Sequence, residues 1–158
     1  MLQILVVCTA NICRSPVAAA LLKQKLSENG RAAWSVQSAG TWATIKRGPA
    51  RFSTKLMAEQ GIDISQHRAQ MVNAALIAQS DLILCMETGH VEALQIEFPQ
   101  HRDRIFTLSE MADKPYSIPD PYGSPLAAYQ EMVAEVTRLI DAGFIRIVTL
   151  AEENARKR

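Results

Sequence analysis

Residues 2–16 read Leu2-Gln3-Ile4-Leu5-Val6-Val7-Cys8-Thr9-Ala10-Asn11-Ile12-Cys13-Arg14-Ser15-Pro16. The run from Leu2 to Val7 is short, rich in branched side chains and almost entirely apolar, which predicts a buried strand. A helix is predicted from Pro16 onward, because apolar residues then recur at helical spacing and proline suits the first helical turn. The loop between them therefore presents backbone N–H groups at a helix N-terminus, an arrangement that binds anions.

Three side chains predict the chemistry of this loop. Cys8 is a nucleophile only as a thiolate, and the loop amides together with the guanidinium of Arg14 favour that charged form. Arg14 also offers a planar pair of donors that matches two oxygens of a phosphoryl group. Ser15 can donate a hydrogen bond to the thiolate. The loop is predicted to attack a tetrahedral oxyanion, and the alternative is a cysteine that serves only packing.

The composition is that of a single globular domain covering residues 1–158. A net charge of +1 gives no bulk attraction to nucleic acid or to a membrane, and no apolar run is long enough to be inserted into one. Three cysteines, an odd number, argue against a secreted disulfide scaffold, and their spacing from the three histidines predicts no metal site. We expect a cytoplasmic protein.

Strand-like and helix-like runs alternate along the chain. The strands are predicted at 2–7, 34–37, 82–85 and 105–108, and the helices at 16–27, 51–60, 89–98 and 125–140. This alternation predicts an α/β fold with a central four-stranded parallel sheet, helices on both faces and the phosphate-binding loop after the first strand. The part after about residue 142 is left open: residues 144–150 fit either a helix extension or an added strand, and the final Arg-Lys-Arg is expected to be solvated.

The chain resembles the bacterial low-molecular-weight protein tyrosine phosphatases. The resemblance rests on the signature Cys-x5-Arg-Ser-Pro at residues 8–16 and on five further segments in the family's order, at 38–41, 61–64, 67–69, 81–86 and 118–123. It implies hydrolysis of protein phosphotyrosine through a phosphocysteine on Cys8, with no cofactor or metal. The implied partners are a tyrosine-phosphorylated protein, such as an autophosphorylating tyrosine kinase, and phosphate or another oxyanion in the loop.

The resemblance also implies roles for individual residues. Asp120, which is held between two prolines, becomes the general acid and base, whereas alone it would be interpreted as a turn residue. Tyr122 is expected to form an aromatic wall beside the substrate. Ser38 and His67 are expected to support the loop, and for His67 a purely structural role is the alternative. The remaining substrate contacts are expected from Thr9, Ala10, Asn11, Ile12, Cys13, Ser15 and Trp42.

The chain departs from the family's pattern in residues 42–52, which we call the rim segment. It contains three cations, Lys46, Arg47 and Arg51, and no acidic residue. These cations fit either contacts with an acidic phosphopeptide or a solvated surface. Two smaller departures are Ala10, where the family usually has glycine, and Gly123, where a second aromatic residue is frequent.

Other activities of related loops remain alternatives. An arsenate reductase would need further cysteines downstream, and none follows Cys85. A phosphoarginine phosphatase tends to have threonine where Ile12 stands, and a phosphocysteine carrier of sugar transport or an inactive phosphopeptide-binding module would not need both Arg14 and Asp120. Cys13 is expected to capture an oxidised Cys8 as a disulfide, and the alternative is a buried thiol.

Overall fold

The computed structural model describes residues 1–158 and contains a single sheet of four parallel strands. The strands are β1 (Gln3–Cys8), β2 (Ser35–Gly40), β3 (Leu82–Cys85) and β4 (Ile105–Thr107), in the spatial order β2-β1-β3-β4. The predicted fold class is confirmed. The first two strands extend further toward their carboxyl ends than predicted, because Cys8 and Gly40 still pair with each other.

Five α-helices cover the sheet: α1 (Arg14–Glu28), α2 (Arg51–Glu59), α3 (Ala74–Gln79), α4 (Thr88–Glu97) and α5 (Leu126–Arg156). The sequence did not predict α3, a six-residue helix whose N-terminus is capped by the side chain of Asn73. Of the two alternatives for residues 144–150, the structure has the helix extension, within α5. Two 3₁₀ turns flank β4, at Pro99–Arg104 and Ser109–Met111. None of the helices has the length and apolar character needed to cross a membrane.

Successive residues of β1 face opposite sides of the sheet, as the pleat requires. Ile4, Val6 and Cys8 belong to the larger core cluster, which includes buried residues of α1 and α5. Leu5 and Val7 belong to a smaller cluster with residues of α3 and α4. Cys8 therefore ends a central strand on the α1 and α5 side, at the carboxyl edge where open parallel sheets bind their ligands.

The C-terminal end of α5 is fixed at the opposite edge of the sheet. The Nε of Arg158 lies 2.7 Å from Oδ1 of the fully buried Asp81, whose Oδ2 accepts a hydrogen bond of 2.9 Å from the amide of Gln3. Asn154 donates a further hydrogen bond of 2.8 Å to the carbonyl oxygen of Asp81. All three residues of the terminal Arg-Lys-Arg are exposed, as expected, but Arg158 is also held by Asp81, because a buried carboxylate needs a partner of opposite charge.

Candidate active site

The loop between β1 and α1 is held in shape by Asn11. Its backbone has φ 59°, a left-handed conformation that asparagine tolerates better than most residues. Its side-chain amide donates to the hydroxyls of Ser15 (2.8 Å) and Ser38 (2.9 Å), and its Oδ1 accepts from the amide of Gln70 (3.0 Å). Nε2 of His67 lies 2.7 Å from the carbonyl oxygen of Asn11. Ser38 and His67 thus contact the loop from behind.

The contacts of His67 also indicate its charge state. Partial burial lowers the pKa of His67, since desolvation outweighs the hydrogen bond to the carbonyl of Asn11 and the nearby cation of Arg68 acts in the same direction as burial. A neutral ring then donates from Nε2 to that carbonyl. His67 therefore acts on the loop backbone without adding charge to the site.

Cys8 and Ser15 face each other across the loop. Their Sγ and Oγ atoms lie 2.9 Å apart, and the thiol is almost completely buried. Because the Ser15 oxygen already accepts from Asn11, its own hydrogen is free to point at the sulfur. The hydroxyl is therefore oriented to stabilise a thiolate on Cys8.

The guanidinium of Arg14 forms the floor of the site, with 1% of the side chain exposed. Its Nη1 lies 2.6 Å from Oε2 of Glu87 and donates a hydrogen bond of 2.7 Å to the carbonyl oxygen of Ile118. Its Nη2 lies 3.4 Å from Oγ1 of Thr9, while Nε is buried and has no hydrogen-bond partner. A buried unpaired donor costs about 1–3 kcal/mol, so the arrangement favours an added acceptor.

Asp120 stands at the mouth of the same site. Its Oδ2 lies 3.6 Å from Nη2 of Arg14, and its side chain is 42% exposed. Its Oδ1 accepts a hydrogen bond of 3.1 Å from the amide of Tyr122, which fixes the turn between the two residues. The structure thus brings the loop, the guanidinium and this carboxylate together. Tyr122, which is 56% exposed, borders them on the solvent side.

Glu87 and His90 were missed by the sequence analysis. The amide of Glu87 donates to Nδ1 of His90 (3.2 Å), so the proton of the ring is on Nε2 and is donated to Oγ1 of Thr9 (2.9 Å). Burial lowers the pKa of His90 despite the nearby carboxylate of Glu87, so the neutral ring is favoured. The sequence signal that could have found Glu87 is a carboxylate two residues after the end of β3, the strand that pairs with β1.

Two loop residues turn their side chains into the core. Ile12 is fully buried, and Sγ of Cys13 lies 3.4 Å from the hydroxyl of Tyr129 on α5. Burial raises the pKa of Cys13 to about 11, so this thiol is protonated near neutral pH. Ile12 and Cys13 can therefore contact an oxyanion only through their backbone amides. The expected disulfide between Cys13 and Cys8 stays a prediction. Cys13 reacts as a thiolate in such a step, and its raised pKa makes that form scarce.

The rim segment is attached to the loop by its backbone. The amides of Trp42 and Ala50 donate to the carbonyl oxygens of Thr9 and Ile12, both at 2.8 Å, and the amide of Thr41, the residue before the rim segment, donates to that of Cys8 at 3.0 Å. The side chain of Trp42 is 82% exposed and that of Arg51 lies over the ring of Phe52. No three of the His, Cys, Asp and Glu side chains cluster as metal ligands do.

The comparison with known families agrees with this geometry. A family model described as low molecular weight phosphotyrosine protein phosphatase matches residues 3–155. The chain belongs to this family. Its relatives named protein-tyrosine-phosphatases are phosphoric monoester hydrolases, so the phosphatase is an enzyme of that class, and the resemblance found in the sequence is confirmed.

Two relatives and one solved structure show what the phosphatase is similar to. The probable low molecular weight protein-tyrosine-phosphatase EpsP of Ralstonia nicotianae is 40% identical over 147 residues, which are 93% of this chain and 97% of the relative. A protein-arginine-phosphatase of Geobacillus stearothermophilus is 34% identical over 88% of this chain and 91% of its own. The crystal structure of the low molecular weight protein tyrosine phosphatase from T. tengcongensis superposes with a TM-score of 0.86 at 34% identity, covering 92% of this chain and 99% of that one.

Gly40 sets the space available to the loop of the phosphatase. A Cβ atom at this position would lie 2.4 Å from the carbonyl oxygen of Thr9 and 3.1 Å from the amide nitrogen of Asn11. We expect Gly40→Ala to lower the free energy of unfolding by about 1–3 kcal/mol, because the backbone of the loop must move. We also expect kcat/KM for an aryl phosphate to fall at least about tenfold, since small displacements of reacting groups are costly.

Urea unfolding and initial-rate measurements test this expectation. Gly89→Ala is the matched control, because a Cβ there meets no atom within 4 Å and alanine is favoured over glycine within α4. That variant is expected to keep its activity and to gain a little stability. Equal behaviour of the two variants would show that the close approach at Gly40 does not shape the loop.

Proposed function

We propose that the phosphatase hydrolyses phosphotyrosine in proteins through a phosphocysteine intermediate on Cys8, with Asp120 as general acid and then general base. The observation that carries the proposal is the buried guanidinium of Arg14. It has an unpaired Nε, it follows the loop that begins at Cys8, and its Nη2 lies 3.6 Å from the carboxylate of Asp120. A nucleophile, an anion-binding group and an acid are thus within reach of one phosphoryl group.

In the first step the thiolate of Cys8 attacks phosphorus in line with the leaving oxygen. The S–P bond forms as the P–O bond to the tyrosine breaks, and Asp120 gives its proton to the departing phenolate. Arg14 and the backbone amides of the loop hold the equatorial oxygens, where charge develops. The loop residues in this role are Thr9, Ala10, Asn11, Ile12, Cys13 and Ser15.

In the second step water replaces the cysteine. The Asp120 carboxylate accepts a proton from the water as its oxygen bonds to phosphorus, and the S–P bond breaks to return the thiolate. Ser15, which lies 2.9 Å from the sulfur, stabilises the leaving thiolate by its hydrogen bond. Phosphate is released, and Asp120 is again protonated for the next cycle.

The aromatic side chains at the mouth support an aromatic substrate. Tyr122 and Trp42 are both more than half exposed, and stacking on a substrate ring contributes about 0.5–1.5 kcal/mol.

Ser38 and His67 act as positioning residues for the loop through Asn11. Among tyrosine-phosphorylated proteins, an autophosphorylating tyrosine kinase is the partner that the family resemblance favours. Three free cysteines support a reducing compartment such as the cytoplasm.

Phosphoarginine is the second candidate substrate, because one relative is named a protein-arginine-phosphatase. The test compares matched peptides that carry phosphotyrosine or phosphoarginine, with phosphate release as the readout. We expect phosphotyrosine to be preferred, and hydrolysis to be blocked by vanadate and unaffected by a chelator. A higher kcat/KM for the phosphoarginine peptide would assign the phosphatase to the second activity.

A further inference from the structure

Positive charge is concentrated beside the active site. The whole chain has a net charge of only +1, yet the rim segment contributes Lys46, Arg47 and Arg51 and no acidic residue. All three side chains are exposed, and none of them lies within 4 Å of a carboxylate. The rim segment therefore presents an uncompensated cationic surface.

Apolar side chains are exposed at the same place. Trp42 (82%), Ile45 (64%) and Tyr122 (56%) are exposed around the mouth, and Met71 (38%) accepts a hydrogen bond through its sulfur from the amide of Ala43. These four are a majority of the seven large hydrophobic side chains that the whole chain exposes. Clustered exposed apolar surface is typical of a binding site for another molecule.

Arg47 is the cation that the structure fixes most closely to the site. Its backbone accepts a hydrogen bond of 2.8 Å from the amide of Ala69 and donates one to the carbonyl of Thr44. Its guanidinium lies over the ring of Tyr122, 5.5 Å from the centroid, and donates to the Tyr122 hydroxyl at 3.3 Å. A guanidinium has five N–H donors, so most of those of Arg47 are free for an anion.

We propose that the rim segment binds the chain that flanks the phosphotyrosine and selects acidic residues there, with Arg47 as the main specificity-determining residue. The inference rests on the proposed function and adds the substrate class, a phosphotyrosine segment rich in Asp or Glu with at least one apolar side chain. Charge complementarity argues for this occupant, because acidic side chains would supply the carboxylates that Lys46, Arg47 and Arg51 lack. Trp42 and Ile45 supply the apolar contact.

Arg47 differs from the other two cations in what it touches. The guanidinium of Arg51 lies over the ring of Phe52 rather than that of Tyr122, and Lys46 has no side-chain partner that would hold it in one place. Tyr122 is two residues from Asp120 and is joined to it by a hydrogen bond. Arg47, rather than Lys46 or Arg51, is therefore the cation placed to contact an acidic residue next to the phosphotyrosine.

The test uses three phosphotyrosine peptides that differ only in their flanking residues, which are acidic, neutral or basic. We expect kcat/KM of the wild-type phosphatase to be about five- to tenfold higher for the acidic than for the neutral peptide at low salt, and this ratio to shrink in 0.5 M salt, as about 1 kcal/mol of exposed ion pairing implies. Arg47→Gln should bring the ratio close to one. Arg47→Glu should reverse the preference toward the basic peptide.

Arg102→Glu is the matched control, since Arg102 is an exposed arginine in the 3₁₀ turn before β4, at the other edge of the sheet. It is expected to keep the wild-type ratio. A change in kcat/KM that is equal for all three peptides in the Arg47 variants would overturn the proposal, because Arg47 would then only support Tyr122. Self-association that Arg47→Glu abolishes, with unchanged peptide ratios, would assign the surface to a second copy of the chain and also overturn it. Failure of the wild-type chain to hydrolyse any of the three peptides would instead contradict the proposed function.

Discussion

Cys8→Ser is expected to hydrolyse no measurable phosphotyrosine or p-nitrophenyl phosphate, a loss of more than about 10⁴-fold in kcat. A serine hydroxyl does not ionise near neutral pH, and the Ser15 hydrogen bond and the Arg14 guanidinium stabilise a thiolate far more readily than an alkoxide. Initial rates measure the loss. Acid quenching with labelled substrate should trap a phosphorylated protein from the wild-type enzyme and no phosphocysteine from the variant.

Cys13→Ser provides the matched control for this prediction. It makes the same thiol-to-hydroxyl change five residues along the loop, at a side chain that faces Tyr129 and where a hydroxyl can keep the contact. It is expected to bind an oxyanion and to form the phosphorylated intermediate. Hydrolysis by Cys8→Ser at a rate near that of the wild type would remove Cys8 from the reaction.

Asp120→Ala is expected to lower kcat for a phosphotyrosine peptide by about 10²–10⁴-fold, the usual contribution of a general acid. The loss should depend on the leaving group. A dinitrophenolate leaves without a proton, so the initial burst of dinitrophenol from its phosphate ester should be almost as fast as in the wild type. Stopped-flow absorbance measures this burst, and steady-state rates with the peptide measure the full loss.

Asp120→Asn separates proton donation from loop geometry. The amide oxygen of asparagine can still accept the hydrogen bond from the Tyr122 amide, which is 3.1 Å long, but asparagine cannot serve as the acid. Asparagine and alanine should therefore give similar losses with the peptide. An equal loss for both leaving groups, or near-normal peptide turnover by Asp120→Asn, would show that Asp120 has another role.

Local sequence was sufficient to predict the anion-binding loop, whereas its supports Ser38 and His67 were expected only from the family resemblance. A buried strand, a loop and a helix within residues 2–27 bring Cys8 and Arg14 to one anion site by chain connectivity alone. The left-handed conformation of Asn11 also follows from the residue type, since few other side chains tolerate it. These features depend on neighbours in the sequence, which is why they were visible there.

The contacts of Glu87 and His90 with the loop could not be predicted, because they depend on distant strands. Their segment reaches Arg14 and Thr9 only because β3 pairs with β1, with Leu84 opposite Val6. The ion pair of Asp81 could not be predicted for the same reason, because Arg158 follows the end of the 31-residue helix α5. Register and helix length, rather than residue type, decide these contacts.

Because the rim segment is joined to the loop by its backbone, substitution of its side chains can be separated from changes to the catalytic loop. Its anchoring hydrogen bonds to Thr9 and Ile12, like that of the preceding Thr41 to Cys8, run from backbone amide to backbone carbonyl, so they do not depend on side-chain identity. Exposed side chains such as those of Trp42 and Ile45 can therefore be exchanged while the chemistry below them is preserved. For protein engineering, the rim segment is a replaceable module: a library of its exposed positions would alter which phosphoproteins are dephosphorylated and leave the bond-breaking step intact.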